Sequence, residues 1–124
     1  MNALTKVITA RLKSFTFAFA GIRALLTTQH NMRIHLAVAI AAVGSGVYVG
    51  LPPTEWCVLV LTIVAVWTAE AFNTAIEFLA GRISTERHPL IKHAKDTAAA
   101  AVLMTAIGAV IIGAILFLPH ICRK

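Results

Sequence analysis

Glu70, Asn73 and Glu77 stand at positions i, i+3 and i+7 of a stretch that is otherwise uncharged from Trp56 onward. On a helix this spacing places the three side chains within about 60° of one face, stacked over two turns. Carboxylates in an apolar helix are costly to bury and are kept where they do chemistry. Two of them with an amide between could supply a metal ligand, a general base and an orienting hydrogen bond. The blander counterpart is a polar packing network, or a pair near enough to the interface to be solvated. Further along, Ala94-Lys95-Asp96-Thr97 marks the start of the next apolar run. Asp96 is expected to cap that helix, and Lys95 to stand beside free backbone donors where a phosphate would be stabilised. Together the two groups make both halves of a nucleotide and metal site: carboxylates for Mg²⁺ and a cation for the β and γ phosphates. The sequence contains no glycine-rich phosphate loop, so a kinase built this way is of an unusual kind.

The elements that must hold these residues follow from composition. Of 124 residues, 59% are hydrophobic and 13% charged, far from the roughly half-apolar, quarter-charged balance of soluble domains. A hydrocarbon layer of about 30 Å takes roughly 20 apolar residues per crossing, so the sequence supplies about three crossings and no separate soluble catalytic domain. The uncharged runs predict an all-α membrane protein with transmembrane helices over about 31–51, 55–80 and 96–119, all in one membrane-embedded domain, 1–124. Gly46 and Gly50 form a GxxxG pair suited to close helix contact, or are simply small membrane residues. Leu51-Pro52-Pro53 breaks the chain, with Thr54 as the expected N-cap of the next helix. In residues 1–30, Leu4, Ile8, Leu12, Phe15, Phe19, Ile22 and Leu26 recur at steps of three and four. Lys6 and Lys13 lie opposite, which predicts an amphipathic helix in the membrane surface. Arg23 and the lack of a small-x-small cleavage site oppose a signal peptide.

Lys and Arg number 11 against 5 Asp and Glu, a formal net charge of +6. Such a charge alone would allow nucleic acid as a partner, but the apolar excess argues against it. Five Lys or Arg lie up to Arg33, four between 82 and 96, none in the 51–55 turn and two in the tail. The positive-inside rule therefore places the N-terminus and the 82–96 segment in the cytoplasm and the C-terminus outside. Cys57 and Cys122 form neither a CxxC nor a disulfide framework. His30 and His35, like His88 and His93, are five apart and share no helix face, so no zinc pair is expected. His88 is singled out because Pro89 fixes a turn between Glu86 and the Lys95-Asp96 pair.

The run Glu70-Ala-Phe-Asn73-Thr-Ala-Ile-Glu77 resembles the ExxNxxxE signature of the prokaryotic diacylglycerol kinase family, which includes the undecaprenol kinases. The spacing to Glu86-Arg-His88-Pro-Leu and Ala94-Lys95-Asp96 supports the likeness, as do Gly21-Ile-Arg23 and His30-Asn-Met-Arg33-Ile-His35. It covers residues 14 to 119. The resemblance implies a homotrimeric kinase of the bacterial inner membrane that moves the γ-phosphate of MgATP to a lipid hydroxyl. In that family pattern Glu70 would be the general base, Glu77 would hold Mg²⁺, and Asn73 would orient the reacting groups. Glu86, His88, Lys95 and Asp96 would contact the nucleotide, with Phe17 at a position that is often Tyr. Arg23 would lie at the lipid entrance and Ala99 beside the lipid.

Some positions depart from the family pattern. Gln29 stands where a second metal-binding Glu is usual, so it would offer the metal and nucleotide an oxygen without a charge. Gly81 replaces a common Asp, and Arg11 is only the nearest residue to an N-terminal nucleotide-contacting Arg. His30-Asn31, His35, Pro89-Leu90 and Asp96-Thr-Ala-Ala resemble the undecaprenol kinase branch more than the diacylglycerol kinase branch. Two other readings compete: a weak or inactive relative with a structural role, suggested by Gln29 and Gly81, and a small cation pathway through Glu70 and Glu77. The latter would need more polar residues in the outer half of the bilayer than Thr62, Thr68, Ser45 and Tyr48.

Overall fold

A computed structural model describes residues 2–83 and 88–122. Among these residues the chain forms four α-helices and no strand: α1 (Ala3–Thr28), α2 (His30–Val49), α3 (Pro53–Ile83) and α4 (Pro89–Cys122). It separates into two units, Met1–His30 and Asn31–Lys124. In the first, the apolar stripe lies along one continuous helix of 26 residues. That helix ends where Gln29 turns extended (φ −102°, ψ 115°), with its N–H donating to Leu25 O at 3.0 Å.

The second unit is built from helices long and apolar enough to cross a membrane. At about 1.5 Å per residue, the 31 residues of α3 and 34 of α4 reach about 46 and 51 Å, beyond a hydrocarbon layer of about 30 Å. Both helices must therefore project from it. The charged ends, Arg82 on α3 and Lys92, Lys95 and Asp96 on α4, mark the projecting side.

The link from α2 to α3 is a tight C-terminal cap. Gly50 takes a left-handed φ of +72°, Leu51 N–H donates to Gly46 O at 3.0 Å and Gly50 N–H reaches Val47 O at 3.3 Å. These bonds satisfy carbonyls that the helix end would orphan. The GxxxG expectation is thereby corrected, because Gly50 is a turn residue. Gly46 is close-packed within its own hairpin, where a Cβ would come 3.0 Å from Leu51 Cδ1 and from the Trp56 ring. Thr54 is not the cap of α3 either. Pro52 O accepts from Glu55 and Trp56 N–H (3.0 and 3.1 Å), and Pro53, with no N–H to satisfy, occupies the first helical position.

A larger correction concerns α4. It begins at Pro89, about two turns before Asp96, and His88 is its cap: Nδ1 accepts from Leu90 N–H at 3.2 Å and O accepts from Lys92 N–H at 3.1 Å. Asp96 pairs with Lys92 one turn back, both side chains exposed. Lys95 therefore does not stand beside a helix N-terminus, and the reading of Asp96 as a cap above a phosphate site falls.

α3 and α4 are the closely packed pair, and Ala98 of α4 is buried. Their apolar core is at the end away from Arg82, Lys92 and Lys95. Leu51, Leu59 and Leu116 are buried there, with Trp56, Ile63, Ile112 and Phe117 against them. Beyond them, His120 Nδ1 lies 2.9 Å from Leu116 O and Nε2 lies 3.8 Å from Glu55 Oε2.

Candidate active site

The face of α3 that packs inward runs Leu59, Val66, then Glu70, Asn73 and Thr74, and ends at Ala80. The switch from aliphatic to polar side chains occurs without a change of face, so the same periodicity that buries leucines buries a carboxylate. Glu70 is 1% exposed and Asn73 7%. Counted along the helix, Glu70 lies about 26 Å and Glu77 about 36 Å from Pro53, which brackets the far edge of a hydrocarbon layer of about 30 Å.

A cavity of about 350 Å³ opens on this face. α3 contributes Glu70, Asn73 and Glu77, α2 contributes Asn31, Ile34 and His35, and α4 closes it with Ala99, Val102, Leu103 and Ala106. Asn73 Nδ2 donates to Glu77 Oε1 at 3.2 Å, so the amide is oriented and its oxygen is directed away from Glu77. Asn73 Oδ1 and Glu70 Oε2 are buried without any hydrogen-bond partner. An unpaired buried acceptor costs about 1–3 kcal/mol, a cost that a bound donor would remove. A second, almost wholly apolar cavity of about 420 Å³ shares Ile34, His35 and Ala106 with the first and continues past Val38 and Val66 to Phe117.

The structure thus gathers Glu70, Asn73, Glu77 and Ala99 among the residues singled out from sequence. Lys95 and Asp96 are exposed in the second turn of α4, and His88 spends Nδ1 on the helix cap. Phe17, Arg23 and Gln29 belong to the first unit, where Gln29 Nε2 donates to Thr28 Oγ1 at 3.2 Å. Glu86 lies outside the described residues. Two residues entered the site unannounced. His35 had figured only as part of a motif and as half of a poor zinc pair. Thr74, 2% exposed, was signalled only by being four residues from Glu70 on the same face.

Among the described residues no three His, Cys, Asp or Glu side chains gather into a metal cluster. Glu70, Asn73 and Glu77 line one cavity, Glu77 with a half-buried carboxylate. That donor set fits a hard divalent cation such as Mg²⁺, which takes one or two carboxylates and completes its shell with water and phosphate.

Comparison with known proteins gives this geometry a context. The sequence model of the family described as prokaryotic diacylglycerol kinase matches residues 16–117. An undecaprenol kinase of Bacillus subtilis (strain 168) is 40% identical over 109 residues, 88% of this chain and 89% of that protein. A diacylglycerol kinase of Synechocystis is also 40% identical over 109 residues, 87% of this chain and 62% of its own length. The diacylglycerol kinase of Escherichia coli (strain K12) is 30% identical over 116 residues, 94% of this chain and 95% of that protein.

Proposed function

Since the chain belongs to the prokaryotic diacylglycerol kinase family of membrane lipid kinases, we propose that it transfers the γ-phosphate of MgATP to the hydroxyl of a lipid alcohol, undecaprenol in preference to diacylglycerol. The observation that carries this reading is Glu70: a fully buried carboxylate with an unpartnered oxygen, lining a cavity with Asn73 and Glu77 that continues into an apolar groove. Glu70 accepts the alcohol proton as the alcohol oxygen bonds to the γ-phosphorus. The bond from that phosphorus to the bridging oxygen breaks, and ADP leaves with the electron pair. The apolar groove from His35 toward Phe117 takes part of the hydrocarbon tail.

Glu77 is the carboxylate assigned to Mg²⁺, which when bound neutralises the charge developing on the phosphates. Asn73, held by its bond to Glu77, presents Oδ1 to the reacting groups. On the motif match Gln29 is the second metal position with a neutral oxygen, Glu86, His88, Lys95, Asp96 and Phe17 serve the nucleotide, and Arg23 and Ala99 serve the lipid. Three crossings per chain cannot enclose both a nucleotide and a lipid headgroup, which supports a homotrimer with shared sites. The Lys and Arg distribution supports a cytoplasmic site and an external C-terminus. Cys122, exposed at the end of α4, is then expected to react with an impermeant maleimide on intact cells in a variant lacking Cys57; labelling only after the cells are opened would reverse the orientation.

Radiolabelled ATP offered with undecaprenol and with diacylglycerol, separately and in mixed micelles, tests the function. Label is expected in undecaprenyl phosphate with a lesser amount in phosphatidic acid. Transfer to neither lipid by purified, folded protein would overturn the reading in favour of a structural relative.

A further inference from the structure

Among the described residues Thr74 is set apart by its burial. Thr54 and Thr68 of the same helix also lack a hydrogen bond but are exposed, whereas the less exposed Thr62 and Thr105 bond to their own backbone. Thr62 donates to Val58 O at 2.8 Å, Thr97 to His93 O at 2.8 Å and Thr105 to Ala101 O at 3.2 Å. That bond one turn back is how a hydroxyl is ordinarily satisfied inside a membrane helix. Thr74 Oγ1 makes no such bond: it is buried and has no partner at all, on a residue 2% exposed. A hydroxyl turned from its own backbone in so dry a place needs another acceptor.

One is at hand. Glu70 is one turn earlier on the same face, 1% exposed, and its Oε2 is likewise buried and unpartnered. Side chains in an α-helix lean toward the N-terminus, so Thr74 leans over Glu70. Glu70 lines the cavity whereas Thr74 is not among the residues lining it, so the hydroxyl is set apart from the space where substrate would lie.

We propose that Thr74 is the positioning residue for Glu70: its hydroxyl donates to Glu70 Oε2 when the site is loaded and holds the other carboxylate oxygen toward the lipid alcohol. The inference rests on Glu70 being the base. No bond joins the two groups in this structure, so closing it requires rotation about the Glu70 side-chain torsions. The gain is that two orphaned polar atoms satisfy each other.

Two substitutions separate this role from packing. Thr74→Val keeps the shape and removes the hydroxyl, whereas Thr74→Ser keeps the hydroxyl and removes a methyl group. As a positioning residue, Thr74 predicts that Val lowers kcat about tenfold, the scale of one hydrogen bond to a charged group, with KM for MgATP and for undecaprenol within about twofold. Ser is then expected to retain most of the turnover. A packing role predicts the reverse order, with Val tolerated and Ser the damaged variant in both thermal midpoint and activity; that order, or a Val defect confined to KM, overturns the proposal. Glu70→Gln measured alongside keeps the two ideas apart, because an active Glu70→Gln defeats the base assignment itself, whereas an inactive one with a normal Thr74→Val defeats the positioning role alone.

Discussion

At one end of the α3–α4 pair Leu51, Leu59 and Leu116 are 6, 4 and 7% exposed; at the other, Glu70, Asn73 and Thr74 are 1, 7 and 2% exposed. Burial is equal, yet the first group is an aliphatic cluster that asks for nothing more, and the second leaves three oxygens unpartnered. Glu55 Oε2 at the apolar end also lacks a hydrogen bond, but it has His120 Nε2 3.8 Å away. The difference teaches that the two ends are finished to different purposes. The leucine end is complete in the single chain and holds the helices together. The polar end stores unmet hydrogen-bonding capacity, part of which Thr74 and Glu70 can meet between themselves and the rest of which, at Asn73 Oδ1, is met only by a bound partner.

The largest test of that division is Glu70→Gln. The amide keeps the shape but cannot take the alcohol proton, so turnover is expected to fall about 10² or more. The thermal midpoint should hold or rise, since a neutral group is cheaper to bury than a charge. Phosphoryl transfer and thermal unfolding in detergent, measured on the same preparation, read both effects; unchanged turnover would dissolve the distinction between the ends.

The converse change is Leu116→Ala, at a leucine of that cluster that does not line the apolar groove. Opening a cavity in the leucine end is expected to cost about 2 kcal/mol of stability, seen as a lower thermal midpoint, while turnover per folded molecule stays unchanged. A large loss of turnover in folded protein would show that the two ends are coupled. A smaller effect is expected at the hairpin. Gly50 sits at φ +72° with nothing crowding its Cα, so Gly50→Ala isolates backbone strain, about 1 kcal/mol, and the same pair of measurements should register it in stability alone.

The same contrast explains what could be read in advance. Aliphatic runs announce membrane helices by composition, and Glu70, Asn73 and Glu77 announced themselves because charge in such a run is conspicuous and the i, i+3, i+7 spacing needs only one helix. The early start of α4 was hidden because Pro89-Leu-Ile-Lys-His-Ala-Lys is polar enough to resemble a loop, although Leu, Lys and Ala favour helix and Pro suits its first position. The cap was hidden because His88 performs it through Nδ1, while Asp96, the more usual capping residue, pairs with Lys92 instead. His35 meets Glu70 only through the tertiary fold, which no local spacing encodes. Thr74 was invisible for another reason: a threonine in a membrane helix normally satisfies itself, and only the structure reveals that this one does not.

The hairpin between α2 and α3 also bears on how such a chain enters a bilayer. On the proposed orientation this tip must be carried across the hydrocarbon layer, where every bare amide is penalised. Gly50 and Leu51 have their N–H groups bonded back to α2, and Pro52 and Pro53 have none to bond. From Gly50 to Pro53 the tip therefore travels with no bare amide proton, and α2 and α3 can insert together as one closed unit instead of as two helices in turn. Replacing both prolines with alanine would add two amide donors to the part that travels farthest, a change whose burden falls on membrane integration rather than on the finished fold.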